Sequence, residues 1–298
     1  MCRNVQSQFM SLTEPLDRLP DAAPAMFVDS GASIGPVANS LKRIFEEQPV
    51  TVLEDESRDE PVEVVRDNRT IASSTIDELL ETILLVNSDV YITGSRSLTE
   101  VTLPDVLKGL GDTRLVLRGY PESDSEKLLL ITISRAIERL AYETGAGTLK
   151  AGFQRFSRLV EEPGTYRAYE RLCGTDLDVH AYGVEDSPVP ADLDLTVHEG
   201  TSELYRRCWF VVYRPPTTAG GSGVTNTERS SVDGRGQEQP DAPRMAGLYA
   251  VQHDRNTWEG FWSFEPEHVE RIDRTIEQFA DRRDRTSDAN RPGDCQAE

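Results

Sequence analysis

A chain of 298 residues with 52 acidic and 32 basic residues, a formal net charge of −20, is badly suited to a polyanionic partner such as nucleic acid. Its four cysteines (Cys2, Cys173, Cys208, Cys295) show no paired spacing, which argues against a disulfide framework or a zinc motif. No apolar run approaches the ~18 residues of a membrane span, and 37 % apolar residues is enough for one elaborated domain or two.

The N-terminal segment, with Glu14, Asp17 and Asp21 and no apolar stretch, does not read as a signal peptide, and Met10 is read as an alternative start. Residues 25–28 read as a short buried strand. Pro36 opens a helix with Val37, Leu41, Ile44 and Phe45 on one face. Strands are expected at 49–53 and 62–65, with an acidic loop at 54–60 between them. Thr75-Ile-Asp-Glu78 is a capping box leading a helix whose Ile76, Leu79, Leu80, Ile83 and Leu84 face inward. A strand at 90–93 follows, then a short helix after Pro104 closed by Gly109 or Gly111, a strand at 115–117 and a turn at Gly119-Tyr-Pro121. Ser123-Asp-Ser-Glu126 caps the longest helix, apolar on more than one side and ended by Gly145 and Gly147. Two shorter helices are predicted over 149–159 and 165–173, with Pro163-Gly164 between them. Strands at 178–182, 193–197, 209–213 and 247–252 make the last third sheet-rich, and Pro266 opens a final helix with Val269, Ile272, Ile276 and Phe279 inward. The fold class expected is α/β, with mixed α+β layers and strands alternating with helices.

Motifs for catalysis are sparse. There is no GxSxG elbow and no HExxH or clustered Cys/His spacing. His180 and His198 sit in or beside predicted strands, close enough to converge, with Asp178, Glu199 or Asp254 as carboxylate partners; sheet-edge hydrogen bonding is the plainer role. Gly145-Ala-Gly147-Thr-Leu-Lys150 is half of a phosphate-binding loop but follows a helix where that fingerprint needs a strand. Asp29-Ser-Gly31-Ala-Ser-Ile-Gly35 is better placed for an anion, though a strand-to-helix turn is the plainer role. The helix pair expected over 149–173 imitates a helix-turn-helix with Gln154, Arg155 and Arg158 outward, a reading that the net charge opposes. Trp209, Trp258 and Trp262, with Phe210, Phe261, Phe264 and Tyr205, either line a pocket or form a core.

Charge is unevenly placed. Residues 127–171 hold eight basic residues against five acidic ones, a +3 island that leaves −23 on the remainder. Such an island either docks an anion or is spent on internal ion pairs. Of the 32 basic residues four are Lys, and with the acid excess this predicts a halophilic archaeal cytosol. At ~1 M salt the screening length is only ~3 Å, so an anion contact there must be close and partly buried.

Several strings read together: Leu84-Leu-Val-Asn-Ser-Asp89, Thr93-Gly-Ser-Arg-Ser-Leu98, Leu117-Arg-Gly-Tyr-Pro-Glu-Ser123, Glu126-Lys-Leu-Leu-Leu-Ile131, Ile133-Ser-Arg-Ala-Ile-Glu138, Phe153-Gln-Arg-Phe-Ser-Arg158, Trp209-Phe-Val-Val-Tyr213 and Asn256-Thr-Trp-Glu-Gly-Phe-Trp262. In this order, across about 25–279, the chain resembles the haloarchaeal branch of the DICT sensory domain family. The resemblance implies a role in signal transduction. Bacterial relatives are fused to diguanylate cyclase-type, phosphodiesterase-type and two-component modules, and no catalytic residues are established for the family. This chain departs from them in lacking a recognisable output domain after Phe279 and in carrying a polar insertion at 217–244.

The organisation expected is an N-terminal segment (1–22, partly disordered) and a DICT-like domain (23–281, divisible at 112/113, with a disordered insertion at 217–244), followed by a disordered tail (282–298). The function expected is a non-catalytic cytoplasmic sensor without cofactor or metal. It would act through signalling proteins such as a histidine kinase or response regulator, with a small anionic ligand as an input. The turn after Arg118, the start of the long helix and the Arg-rich helix pair are expected to form one polar cluster. Arg118, Tyr120, Lys127, Arg155 and Arg158 are the ligand or partner candidates, since guanidinium captures carboxylate or phosphate in bidentate fashion. Pairing of these cations with Glu122, Glu126 and Glu138 is the alternative. The rival functions are a small-molecule enzyme built on His180, His198 and the Trp-rich region, and a transcriptional regulator.

Overall fold

Alternation along three neighbouring strands sets the architecture. In β9 (Cys208–Arg214), β10 (Ala246–Asp254) and β11 (Thr257–Ser263), successive side chains enter two different apolar cores on opposite sides of one sheet. Val211, Tyr213, Leu248, Trp258 and Trp262 lie on one side; Phe210, Val212, Tyr249 and Phe261 lie on the other. Helices therefore cover both faces. The computed structural model describes residues 12–21, 23–29, 35–55, 60–86, 98–100, 102–118, 125–216 and 244–288.

The first sheet has four strands in the order β2-β1-β3-β4. β1 (Ala25–Val28) runs parallel to β2 (Thr51–Glu54) after a crossover through α2 (Gly35–Phe45); α1 is the short Glu14–Asp17 turn. β3 (Val62–Arg66) and β4 (Arg69–Ser74) form a hairpin whose two turn residues, Asp67 and Asn68, take φ of 52° and 60°. Two consecutive positive-φ positions are what a type I′ turn demands, and Asp and Asn tolerate them. β4 escaped the sequence reading because Arg69-Thr-Ile-Ala-Ser-Ser has no apolar run and is half exposed. The Thr75/Glu78 capping box forms as read, Thr75 N–H donating to Glu78 (3.0 Å) and Glu78 N–H to Thr75 Oγ1 (3.4 Å), at the start of α3 (Ile76–Val86). The strand read at 90–93 lies outside the described residues. α4 (Asp105–Gly109) follows Pro104.

The second sheet has seven strands in the order β5-β11-β10-β9-β6-β7-β8. β5 (Leu115–Arg118) lies at one edge and β8 (Thr196–Glu199) at the other. β6 (Ala146–Arg155) sits inside, antiparallel to β9 and parallel to β7 (Asp176–Val184). The long α5 (Ser125–Thr144) packs on β5, β6, β9 and β10, with α7 (Pro163–Cys173) beside it over β7. α8 (Glu203–Arg207) and α9 (Pro266–Asp288) cover the opposite face, where Val269, Ile272, Ile276 and Phe279 are buried as the spacing predicted. α9 runs past 281, into residues read as tail. β9 and β10 pair antiparallel, so the 217–243 insertion joins adjacent strands.

One prediction is overturned. The helix expected over 149–159 is instead β6, followed by the single turn α6 (Ser157–Val160). β6 is buried on both faces along 149–152, which erases the two-residue alternation that marks a half-buried strand. Two glycines mark close approaches instead: a Cβ on Gly147 would meet the Arg214 carbonyl oxygen at 2.3 Å, and one on Gly152 the Phe210 ring at 2.4 Å. With β6 a strand, the helix-turn-helix reading loses its first helix. Gly145 does end α5, at φ 67°.

Asp273 ties α9 to the sheet. It is 1 % exposed, and its carboxylate accepts from Lys150 Nζ of β6 (2.5 Å) and Arg214 Nη1 of β9 (2.6 Å). Glu277, one turn on, accepts from the same Lys150 at 2.8 Å. Asp273→Asn is expected to destabilise the fold toward the lower end of the ~3–5 kcal/mol typical of breaking a buried pair, because Lys150 keeps Glu277. Urea unfolding would measure this, and adding Lys150→Met should restore much of the loss.

A cavity beneath the long helix

α5 is apolar on most sides, yet Ser134, Arg135 and Glu138 face the sheet together with Ile131, at spacings that share one helix face. With the facing strands and α7 they enclose a cavity of about 110 Å³. β6 contributes Ala151 and Phe153, β9 contributes Trp209 and Val211, and the α6–α7 segment contributes Arg158, Glu162, Thr165 and Tyr169.

Half of the polar wall is self-satisfied. Arg135 donates from Nη1 to Glu138 (2.5 Å) and from Nη2 to Thr165 Oγ1 (2.8 Å). The Tyr169 hydroxyl donates to the other Glu138 oxygen at 3.0 Å, and Thr165 passes its own proton to Glu162 at 3.2 Å. Burial alone would weaken the Arg135 charge, but the Glu138 carboxylate outweighs it and raises the guanidinium above its usual range. Burial, reinforced by the Glu138 charge, drives the Tyr169 hydroxyl well above the usual phenol range. These groups hold fixed protonation states and act as a scaffold.

The other half is not satisfied. Ser134 is 6 % exposed, and among the described residues its Oγ has no hydrogen-bond partner. Arg158 is half-buried and donates Nη1 to the Gln154 side-chain carbonyl at 2.5 Å. Among the described residues no carboxylate lies within ion-pair distance of it. Burial lowers its pKa by more than the nearby Glu162 charge, the larger of the charge effects on it, offsets. Gln154 sits at φ 64° where the β6–β7 register shifts, so a bulge in β6 aims the partner of Arg158.

The structure brings Arg155 and Arg158 to the same end of β6 and does not bring Arg118 to them. Arg118 ends β5, with β11, β10 and β9 between it and β6, and pairs with Glu47. The single cluster expected from the sequence is corrected accordingly: the order of strands in space is not their order in the chain. Arg155 is exposed, 3.9 Å from Asp186. Tyr120 lies outside the described residues, as does the side chain of Lys127 on the first turn of α5. The positive island is largely spent on pairs within the fold: Arg135–Glu138, Arg139–Glu143 (2.7 Å) and Lys150 with Asp273 and Glu277. Sequence reasoning missed Ser134, Arg135, Thr165 and Tyr169 as cavity residues. The available signal was a Ser-Arg-x-x-Glu string inside a helix that is otherwise apolar all round.

A second, open cleft of about 1080 Å³ lies on the opposite face over β6–β8. There His180 and His198 do converge, with Nδ1 and Nε2 2.9 Å apart, and His180 Nε2 is 2.9 Å from Asp178. The Tyr182 ring stacks on His198 at 4.2 Å. Among the described residues no group of three or more His, Cys, Asp or Glu could hold a metal. The aromatic cluster is split by the sheet: Trp258 and Trp262 join one core, Phe210, Phe261 and Tyr205 the other.

Residues 113–221 match the model of the DICT family, described as a sensory domain in diguanylate cyclases and two-component systems. That stretch runs from just before β5 through β9 and contains every residue lining the cavity beneath α5; the wide cleft also draws on Asp273 and Glu277 outside it. No curated protein and no solved structure matches the chain. No helix among the described residues is long and apolar enough to cross a membrane.

Two outcomes are expected. Glu138→Gln strands a buried guanidinium and should cost about 3–5 kcal/mol in urea unfolding, largely recovered by Arg135→Met with Glu138→Leu. Burial, with Asp194 nearby, pushes the Cys173 thiol up to about 11, and burial pushes Cys208 up to about 12. Iodoacetamide labelling followed by peptide mapping at pH 8 should therefore modify both at least ~100-fold more slowly than an ordinary thiol of pKa ~8.5. Labelling of Cys173 should climb with pH toward about 11.

Proposed function

We propose that this protein is a non-catalytic sensor in signal transduction whose input is a small molecule held in the cavity beneath α5. The observation that carries the reading is a small cavity inside the DICT-matched segment whose largely apolar wall carries a hydroxyl and a guanidinium left for something else to meet. A packed core would leave neither, since buried polar groups are normally satisfied. Arg158 is the guanidinium set against the ligand, and Arg155, exposed beside Asp186, is a candidate contact for a partner. α5 and α7 both line the cavity, so an occupant that reseats them alters the outer surface a partner reads. The partner is a signalling protein such as a histidine kinase or response regulator, in a cytoplasm rich in salt. An internal site suits such a medium, where exposed charges are screened within ~3 Å at 1 M.

The working unit extends beyond the matched stretch. β5 pairs with β11, and β11 reaches β9 through β10, so residues 113–221 alone leave β5 without its neighbour. We therefore assign the sensory unit to 23–281. One observation favours the enzyme reading: in the open cleft a carboxylate and two imidazoles, Asp178, His180 and His198, lie in sequence 2.9 Å apart. His180→Gln separates the two readings, because it should leave sensing intact.

Ser134→Leu and Ala151→Phe each fill the cavity with apolar volume. Either variant is expected to fold with a melting temperature within a few degrees of wild type and to abolish, in complemented cells, the signalling response that gene deletion abolishes. A folded, filled variant that signals normally would overturn the proposal.

A further inference from the structure

The charges left over in the cavity identify what it takes. Arg135 and Glu138 neutralise one another, and Tyr169 and Thr165 complete their hydrogen bonds. Two charged groups remain on the same wall, Arg158 and Glu162, and they are of opposite sign. Among the described residues neither has a partner within ion-pair distance, although the Glu162 charge reaches both Arg158 and Arg135: Arg158 donates to the amide of Gln154, and Glu162 accepts from the hydroxyl of Thr165. The Ser134 hydroxyl, buried and without a partner among the described residues, adds a third unmet group.

Each simple ligand class fails against this inventory. An anion would meet Arg158 and leave the Glu162 carboxylate partly desolvated beside a second negative charge. A cation would do the reverse, and a neutral molecule would meet neither. Burying an unmatched charge costs several kcal/mol, so the occupant must bring both signs. Its size is bounded as well. A water needs about 10–15 Å³ on the same measure, so the cavity of about 110 Å³ admits about ten heavy atoms at most. The remaining wall is apolar, from Phe153, Trp209 and Val211.

Resting on the reading of this cavity as the sensory input, we propose that it binds a small zwitterion of the amino-acid class, with a short apolar side chain. The ligand carboxylate lies on the Arg158 guanidinium and accepts from Ser134 Oγ, the geometry for which a planar guanidinium is suited. The ligand ammonium donates to Glu162. The side chain rests against Trp209 and Phe153, and the volume excludes aromatic amino acids.

The test is calorimetric titration of the full chain with L-alanine, L-serine and L-valine, with the separated halves propionate and isopropylamine, with neutral lactamide, and with L-tryptophan as the size control. At least one of the three small amino acids is expected to bind at least tenfold more tightly than either half, lactamide or tryptophan, and to raise the melting temperature. Arg158→Gln and Glu162→Gln should each weaken that binding at least tenfold, while the wild-type panel decides the point without any variant. Equal binding of propionate or isopropylamine would overturn the assignment, and so would binding of none of the amino acids. If the assignment fails while Ser134→Leu still silences signalling, the cavity remains the input and its ligand class is wrong. If Ser134→Leu signals normally, the sensory reading itself falls.

Discussion

A guanidinium cannot be taken out of water without a negative group to meet it, and Arg135 is buried between α5, the sheet and α7. Everything around the cavity follows from meeting that demand. Glu138 sits three residues along the same helix and takes one edge of the guanidinium; Thr165 of α7 takes another. Tyr169, one turn further along α7, closes the remaining carboxylate oxygen. The two helices are thus held by directional hydrogen bonds where apolar side chains would interlock, and the polar network leaves a space that close packing would have filled.

Such a network is a poor way to gain stability. An apolar replacement of the same shape is often at least as stable, so a buried ion pair argues for a requirement other than stability. Here it lines a chamber with fixed charge. The protonation states of Arg135 and Tyr169 are pushed away from any physiological pH, so the wall offers charge and donors that do not titrate. That distinguishes it from the cleft on the other face, where His180 and His198 face one another in a wide, water-accessible groove. The first arrangement suits selective retention of a small molecule, the second suits proton movement. The DICT match covers the whole of the first and part of the second.

Much of the fold was legible where one face meets a core and the other meets water. The final helix has an apolar stripe at 269, 272, 276 and 279, and all four residues are buried. The Thr75/Glu78 cap forms because its two partners lie within one turn. Legibility failed in two opposite situations. β6 is buried on both sides, so its residues carry no alternation, and the reading defaulted to a helix. β4 is largely exposed, and its two-residue turn was the better signal than its composition. The candidate site was half legible. Arg155 and Arg158 are neighbours in the chain and stay neighbours in space, whereas Arg118, expected to converge with them from its own turn, is kept apart by the sheet order.

By itself the sequence determined the strongly acidic surface, the α/β character, the capped and amphipathic helices and the resemblance to a sensory family, because each depends on composition or on residues within a few turns of one another. Only the tertiary structure decided which charges are spent and which are left. Arg135 and Arg158 look alike in the chain, yet one meets Glu138 and the other meets an amide. That difference is set by the seven-stranded order and by a bulge at Gln154, contacts between segments that chain position does not relate. Ion pairing acts over a few ångströms, so only a folded chain can say which opposite charges come within reach.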